Sequence, residues 1–296
     1  MRPTPPSPPG WRCSEPGRSG GARPPVVGET SLPIRPVPSR AMTKQTFLVQ
    51  ITDSHIGAVW DEGDPIAGLE AALAAIGHLD VAPDAILVSG DLAENGAEAE
   101  YAVMREALQG FGLPVHVLPG NHDDRAAMRR CFGLPGAAEA PIQHTADVGA
   151  LRLVLMDSTQ PGEDRGELDV HRLDWLDGEL AAEPNRPTLL AMHHPPIVTG
   201  SPVWAEIGLP DESRSALAEV VARHPQVLGI VAGHHHQMIV AELGSRPVKV
   251  IPSTYGQARV GLGASKIVFG EAVSAFAVHM LTDGALDSYV QFVPYG

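Results

Sequence analysis

The chain has 296 residues, 44% of them apolar, a length sufficient for one large domain or two small ones. Its uninterrupted apolar runs, such as the four residues at 153–156, are far shorter than the roughly 20 residues that a membrane-spanning helix needs. The net charge of −14 disfavours duplex nucleic acid as a partner, and the two cysteines provide no disulfide framework, which fits a reducing cytoplasm.

The N-terminal segment differs in composition from the rest of the chain. The first 40 residues hold 11 of the 28 prolines and six arginines against two glutamates, without apolar periodicity. Such a segment cannot bury enough apolar surface to offset its ordering entropy, so we predict that residues 1–41 are disordered and that 42–296 form the folded domain. The first 40 residues carry a net charge of +4, so the other 256 carry −18. A small anionic substrate is still compatible with this charge, because bound cations invert its sign locally.

The rest of the chain alternates short apolar segments with longer amphipathic ones, which is typical of helices packed on a sheet. The first predicted strand, 47–51, runs into Asp53 and His55, whose side chains point the same way on extended backbone. Alone, this pair is also compatible with a solvated turn. A helix follows, with Asp64 as its N-cap and Pro65 at its first position. Its predicted buried stripe consists of Ile66, Leu69, Leu73 and Ile76.

The strand predicted at 85–89 is followed directly by Gly90 and Asp91. Glycine frees the backbone for a sharp turn, and this turn allows Asp91 to offer both carboxylate oxygens at the edge of the sheet. Glu94 lies one turn further on, where we expect it to cap a helix or to support a ligand. The next helix is predicted at 97–109.

The strand predicted at 114–120 delivers Asn121, His122 and Asp123 into a loop. A neutral amide oxygen binds a metal ion only where stronger ligands already fix it, so Asn121 is informative beside carboxylates and imidazoles. A further strand ends at Asp157, which has no second donor beside it. We therefore expect Asp157 to stabilise a turn or to support a ligand instead of binding metal.

Two later strands end in histidines. Adjacent side chains diverge on an extended backbone, so only one of His193 and His194 is expected to bind metal directly. In the run of three histidines that follows the next strand, His234 and His236 share a face. His235 is expected to point elsewhere, to solvent or to the substrate side.

Five strand ends with oxygen and imidazole ligands predict a metal centre at one edge of a sheet. The mixed ligand types exclude a structural zinc site of the cysteine type. The C-terminal part predicts strands at 238–243, 248–253, 274–281 and 286–295, which we expect to form a second sheet. The predicted fold is an α/β, two-sheet αββα sandwich with the metal site at the carboxyl ends of the strands.

Taken together, the motifs resemble those of the calcineurin-like metallophosphoesterase superfamily. D-x-H, G-D, G-N-H-[DE], a histidine before a proline, and G-H-x-H all occur in the expected order. Within that superfamily, the chain resembles the class III cyclic-nucleotide phosphodiesterases and their glycerophosphodiesterase relatives, with softer similarity at 157–176, 201–209 and 252–257. Ser54 and Ser89 stand where threonine is common in the family. The first 40 residues match nothing in the pattern.

This resemblance implies two divalent ions, of iron, manganese, zinc or cobalt, and a set of seven ligands. One ion would be held by Asp53, His55 and His236, the other by Asn121, His193 and His234, with Asp91 bridging the two. His193 is preferred to His194 because the family ligand usually stands two residues before the proline. His122 would contact the phosphate or assist the leaving group, with Asp123 orienting it, so His122 and Asp91 are the implied catalytic residues.

The implied activity is hydrolysis of a small phosphodiester, with 3′,5′-cyclic nucleotides such as cyclic AMP as the foremost substrates, by a hydroxide shared between the two ions. A glycerophosphodiester or another small phosphoester is the alternative substrate. A catalytically silent binding scaffold is the alternative from a different class, and it is disfavoured because every ligand position is filled. A homo-oligomeric contact through the C-terminal hairpin rests on the resemblance alone.

Overall fold

The computed structural model describes residues 45–59, 63–270 and 272–295, so the predicted disorder of 1–41 lies outside the described residues. The described part of the chain forms eleven strands and six helices. In chain order they are β1 (Thr46–Ile51), α1 (Pro65–Gly77), β2 (Ala85–Ser89), α2 (Glu98–Gln109), β3 (Val115–Leu118), α3 (Arg125–Phe132), β4 (His144–Val148), β5 (Leu151–Met156), α4 (Val170–Ala182), β6 (Thr188–Met192), α5 (Pro202–Glu206), α6 (Asp211–Ala222), β7 (Val227–Ala232), β8 (Ile239–Leu243), β9 (Arg246–Val250), β10 (Val273–Thr282) and β11 (Ala285–Pro294). Among these helices, none is both long and apolar enough to cross a membrane.

The strands form two mixed sheets. The first has the order β11-β10-β1-β2-β3, in which β1, β2 and β3 are parallel, β10 is antiparallel to β1, and β11 is antiparallel to β10. The second has the order β4-β5-β6-β7-β9-β8, with a parallel centre and antiparallel edge strands. Parallel strands end at the same edge of a sheet, and this edge is where ligand sites form in such folds.

The C-terminal hairpin lies in the first sheet, and the prediction that it belongs to a second sheet was wrong. β1 pairs with β10 along most of the length of β1, from Thr46 opposite Leu281 to Gln50 opposite Ala277. The second sheet is built from the earlier strands β4 to β9. Alternating hydrophobicity identifies a strand but does not specify which strand lies beside it, so the sequence left this pairing open.

Three apolar cores separate the layers. Between the sheets, leucines of the first sheet such as Leu48 and Leu87 pack against leucines of the second such as Leu153 and Leu189. Helices α1, α2 and α3 cover the outer face of the first sheet, and α4 and α6 cover that of the second. The predicted αββα sandwich is therefore confirmed.

Helix α1 begins where it was predicted to begin. Asp64 is its N-cap and accepts hydrogen bonds from two backbone N–H groups of the first turn, and Pro65 occupies the first position. Ile66 is exposed and not buried as predicted, because Gly68 and Ala72 belong to the buried face and shift its centre away from Ile66.

Candidate metal centre

The loops that follow β1, β2, β3, β6 and β7 bring the predicted ligands together. Beyond the ends of β1 and β2, the backbone pairing continues, because the Asp53 N–H donates to the Gly90 carbonyl (3.0 Å) and the His55 N–H to the Asp91 carbonyl (2.9 Å). The second sheet is tied to these loops by the backbone N–H of His234, which donates to both carboxylate oxygens of Asp53 at 3.0 Å.

One group of candidate ligands consists of Asp53, His55 and His236. All three side chains are buried, and one ligand atom from each lies within 4.8 Å of the others. The His236 Nε2 is 3.5 Å from the Asp53 Oδ1 and 3.1 Å from the His55 Nε2. These are the residues that the family resemblance of the sequence assigned to one metal ion.

A second buried group consists of Asp91, His193 and His234, again with ligand atoms within 4.8 Å of one another. The His193 Nε2 is 3.2 Å from both the Asp91 Oδ2 and the Asn121 Oδ1. The Asp91 Oδ2 also lies 3.5 Å from the His55 Nε2 of the first group. Asp91 therefore stands between the two groups, and the structure brings all seven predicted ligands to one place.

The four histidines in these groups share one feature: each donates a ring N–H to a fixed oxygen outside its group. The pairs are His55 Nδ1 with the Glu94 carboxylate (2.8 Å), His193 Nδ1 with the Ser89 carbonyl (2.9 Å), His234 Nε2 with the Ile207 carbonyl (3.1 Å) and His236 Nδ1 with the Gly256 carbonyl (2.8 Å). Such a bond fixes the tautomer and leaves the lone pair on the other ring nitrogen, which is the arrangement of metal-binding histidines.

The charge states of these groups also suit cation binding. Burial lowers the pKa of His236 to about 4 and holds that of His234 well below its ordinary value, so both imidazoles are neutral near pH 7. Burial would raise the pKa of Asp91, but His193 and His55 outweigh it and hold this pKa well below its usual range. Burial lowers the pKa of His193, yet Asp91 and Asp53 together raise it to about 9. A cation bound here would take the place of the His193 proton.

The backbone is strained at most of the residues that are predicted to bind metal. Six non-glycine residues among those described have positive φ, an uncommon conformation that aspartate, asparagine and histidine tolerate better than most residues. Five of the six belong to the ligand set: Asp53 (51°), His55 (44°), Asp91 (49°), His234 (70°) and His236 (49°). Strain of this kind concentrates at functional sites, where the surrounding structure enforces it.

Two glycines let the backbone approach the ligands closely. Gly90 has a φ of 98°, and a Cβ at this position would overlap the His193 ring. A Cβ at Gly120 would overlap the Asp91 carboxylate. The prediction of a glycine turn before Asp91 agrees with this geometry, and the role of Gly120 adds to it.

His122 lies at the mouth of the site. Its backbone N–H donates to the Asp91 Oδ1 (2.9 Å), its Nδ1 donates to the Glu94 carbonyl (3.0 Å), and its side chain is 33% exposed. Burial lowers the pKa of His122, but Asp91 and the Glu94 carbonyl raise it above its ordinary value. A cavity of about 140 Å³ adjoins it, with Asn121 and Gly162 among its lining residues. When the ring is protonated at both nitrogens, its Nε2 can donate a hydrogen bond to a molecule in this cavity.

Asp123 does not contact the His122 ring. Its carboxylate accepts the backbone N–H groups of Leu92, Ala93 and Gly120 and the hydroxyl of Tyr101, at 2.9 to 3.2 Å. Burial raises the pKa of Asp123 to about 6, with Asp91 adding to the increase. Its contribution is to hold the loops after β2 and β3 together, while Glu94 orients the His122 ring.

His194 and His235 lie outside the ligand groups. The His194 Nδ1 is 2.9 Å from the Ser158 hydroxyl and its Nε2 is 3.1 Å from the Asp164 carbonyl, so it points away, as expected for one of two adjacent histidines. His235 is buried, and its ring lies 4.6 Å from that of Trp204. The alternative that His235 faces solvent was therefore wrong, because the aromatic ring of α5 covers it.

Supporting residues were only partly predictable. Glu94 holds His55, which matches the expectation that it supports a ligand. Asp157 forms a buried ion pair with Arg125 at 2.8 Å and accepts the Thr159 N–H, which matches its expected role in a turn. The carbonyl acceptors of the other histidines were missed, because a backbone carbonyl has no signature in the sequence.

The chain is similar to a known family and to known proteins and structures. A family model described as calcineurin-like phosphoesterase matches residues 48–238. A probable cyclic nucleotide phosphodiesterase of Rhodococcus erythropolis is 34% identical over 215 residues, covering 70% of each chain. A glycerophosphodiester phosphodiesterase of Enterobacter lignolyticus is 29% identical over 219 residues, covering 71% of this chain and 78% of that one. The structure of a purple acid phosphatase from yellow lupin seeds shares the fold, with a TM-score of 0.60 at 13% identity over 84% of this chain and 54% of that chain.

Proposed function

Since the chain belongs to the calcineurin-like phosphoesterase family, we propose that it hydrolyses small phosphodiesters at a two-metal site and that 3′,5′-cyclic nucleotides are its substrates. The observation that carries the proposal is the position of Asp91. Its Oδ2 lies 3.2 Å from the His193 Nε2 and 3.5 Å from the His55 Nε2, so one carboxylate reaches both ligand groups. A shared carboxylate is what a pair of neighbouring ions needs.

The ligand groups fit two divalent ions in donor type, in charge and in tautomer. Asp53, His55 and His236 would hold one, and Asn121, His193 and His234 the other, with Asp91 between them. When bound, such ions lower the pKa of a coordinated water and neutralise charge on phosphoryl oxygens. The mixture of oxygen and nitrogen donors suits iron, manganese, zinc or cobalt.

The residues of the chain contribute position and hydrogen bonding. Glu94 holds both His55 and His122, through its carboxylate and its carbonyl respectively. With its Nδ1 occupied in this way, His122 presents its other ring nitrogen at the mouth of the site. From there, in its doubly protonated form, it would donate a hydrogen bond to a phosphoryl oxygen or to the leaving alkoxide. The products would be a phosphomonoester and an alcohol, joined in one molecule when the substrate is cyclic.

Glycerophosphodiesters are the second candidate class of substrate. They are favoured by the relative from Enterobacter lignolyticus, whereas cyclic nucleotides are favoured by the more similar relative from Rhodococcus erythropolis. Both classes have an alkoxide leaving group, so the same site chemistry serves either. Selectivity between the two substrate classes would come from the walls of the cavity and not from the ligand set.

The test is hydrolysis by the purified full chain, supplied in turn with Mn²⁺, Fe²⁺, Zn²⁺ and Co²⁺. Cyclic AMP, glycerophosphocholine and bis(4-nitrophenyl) phosphate serve as substrates, and bound metal is measured in parallel. We expect two ions per chain and faster hydrolysis of cyclic AMP than of glycerophosphocholine. A protein that binds no metal pair would instead be a silent scaffold, and the reverse substrate order would favour the second candidate.

Asp91→Ala provides the sharper prediction. Because this carboxylate serves both groups, its removal is expected to reduce turnover to background while circular dichroism stays unchanged. Asp174→Ala is the matched control, since Asp174 is an exposed carboxylate on α4 and its loss should leave turnover at the wild-type level. Substantial activity in the Asp91 variant would refute the bridging role.

A further inference from the structure

A row of polar side chains crosses the otherwise apolar core between the two sheets. Its members, in order of contact, are Lys249 of β9, Ser288 of β11, His279 of β10, Gln50 of β1 and Ser89 of β2. The four contacts between successive members measure 2.8, 2.6, 2.9 and 2.7 Å. Gln50, Ser89 and His279 have no exposed surface. Replacing such groups with apolar ones often costs no stability, so their presence here calls for a different explanation.

The hydrogen bonds in this row run in one direction. The amide oxygen of Gln50 can only accept, so the His279 Nε2 donates to it and the His279 Nδ1 accepts from the Ser288 hydroxyl. The Ser288 oxygen in turn accepts from the Lys249 ammonium. Burial, with a smaller contribution from Lys249, lowers the pKa of His279 to about 3, so the ring is neutral as this pattern requires. The row continues from Gln50 to Ser89, because the amide N–H groups of Gln50 are donors.

These Gln50 donors reach both sheets at the base of the metal centre. The Nε2 lies 2.7 Å from the Ser89 Oγ in the first sheet and 3.4 Å from the Ala232 carbonyl in the second. Ser89 stands two residues before Asp91, and Ala232 stands two residues before His234. The Ser89 carbonyl also accepts the N–H of His193. One amide is thus within hydrogen-bonding distance of β2, which leads to Asp91, and of β7, which leads to His234.

We propose that Gln50, held by His279, is a positioning residue that fixes the relative placement of the two sheets at the group formed by Asp91, His193 and His234. The inference rests on the proposed function, because it assumes that this group binds metal. Apolar surfaces pack nearly as well after a small slide, whereas hydrogen bonds do not. Metal ligands must be held within roughly 0.5 Å of their working geometry. The polar row supplies a restraint that leucine packing lacks.

The first test is Gln50→Leu, which removes both donors while keeping the side chain buried and of similar size. Calorimetric titration of the full chain with Mn²⁺ reports the affinity of each site independently of any substrate. Losing a group that orients ligands typically weakens metal binding about 10- to 100-fold, and we expect at least the lower figure for one of the two ions. kcat should fall with it at fixed metal concentration, and KM should change little.

Ser274→Ala is the matched control. Ser274 is buried in β10, the strand that carries His279, and its hydroxyl has no hydrogen-bond partner among the described residues. Its removal deletes a buried polar group without touching the row, so both Mn²⁺ affinities should match those of the wild type. Gln50→Leu with unchanged affinities in a folded protein would overturn the proposal.

A second variant separates positioning from plain stabilisation. Gln50→Leu combined with His279→Leu leaves fewer buried polar groups without partners than Gln50→Leu alone, so its Tm should recover toward the wild type. If Gln50 positions the ligands, weak Mn²⁺ binding persists in this double variant. Recovery of affinity together with Tm would show a merely structural role and overturn the inference.

If Gln50→Leu does not fold, Ser89→Ala takes its place in the same titration, because it removes only the acceptor of the Gln50 bond. About 10-fold weaker binding of one ion would support the proposal, and affinities within twofold of wild type would overturn it. A wild-type chain that binds no pair of ions refutes the proposed function itself, so the two failures are distinct.

Discussion

At the scale of single residues, the ligands are held in conformations that the chain would not adopt alone. A left-handed backbone costs a residue with a side chain about 1 to 2 kcal/mol, and five of the seven proposed ligands adopt it. Three of the five are histidines and two are aspartates, which tolerate this region better than branched residues do. Because the surrounding loops already enforce these angles, metal binding would require little further reorganisation.

Gly120→Ala tests how closely the backbone packs against Asp91. Gly120 is not among the residues with positive φ, so alanine causes no backbone strain, but its Cβ would overlap the Asp91 carboxylate. We expect Mn²⁺ affinity to fall about 10-fold as Asp91 is displaced, with turnover falling alongside it, both measurable by titration and assay. Gly77→Ala is the control, because a Cβ there has no atom within 4 Å. Normal metal binding by the Gly120 variant would contradict the described geometry.

At the scale of elements, helix α4 carries a residue that weakens it. Leu173, Leu176 and Leu180 pack into the core of the second sheet, while Gly178 lies on the exposed face with open space around its Cα. Gly178→Ala is therefore expected to stabilise the protein by about 1 kcal/mol, measured by urea unfolding, with turnover unchanged. Gly112 is equally open but has a φ of 62°, so Gly112→Ala should destabilise by about 1 kcal/mol. A gain in stability in both variants would mean that the open space around each glycine, and not its φ, determines the effect of alanine.

The strands differ in how far the sequence alone predicts their place in the fold. The ligand-bearing strands β1, β2, β6 and β7 could be predicted, because each is a short apolar run followed at once by polar residues. The hairpin could not be placed, since β10 pairs with β1 from the other end of the chain and its alternation is the same for any neighbour. For the site, the sequence motifs and their family resemblance named the proposed side-chain ligands, and the structure brings these residues together. The restraints on them, such as the Gly256 carbonyl on His236, depend on tertiary contacts that residue type does not encode.

At the scale of the whole molecule, buried neutral histidines make stability depend on pH. Burial lowers the pKa of His279 to about 3, whereas an ordinary histidine has a pKa of 6.5. Between these values the unfolded chain binds a proton that the folded chain does not, so this contribution is complete above the unfolded pKa and is lost as the pH falls toward 3. Lowering the pH from 7 to 5 is expected to cost about 2 kcal/mol through His279 alone.

His279→Gln should flatten this dependence, because glutamine takes up no proton in either state. Urea unfolding of the wild type and the variant at pH 7 and pH 5 gives the two differences directly. His171→Gln is the control, since His171 is exposed on α4 and its loss removes one histidine without removing a buried one. An equal loss of stability in all three proteins between these pH values would assign the acid sensitivity to other groups.

The division of the proposed ligands between the sheets has a consequence for biosynthesis. Asp53, His55, Asp91 and Asn121 are translated early, but His193 follows three of the six strands of the second sheet, and His234 and His236 follow four. β10, which pairs with β1 in the first sheet, is translated after all of these residues. A nascent chain in which His236 has not yet left the ribosome therefore lacks part of the proposed ligand set, and it could not hold the complete pair of ions.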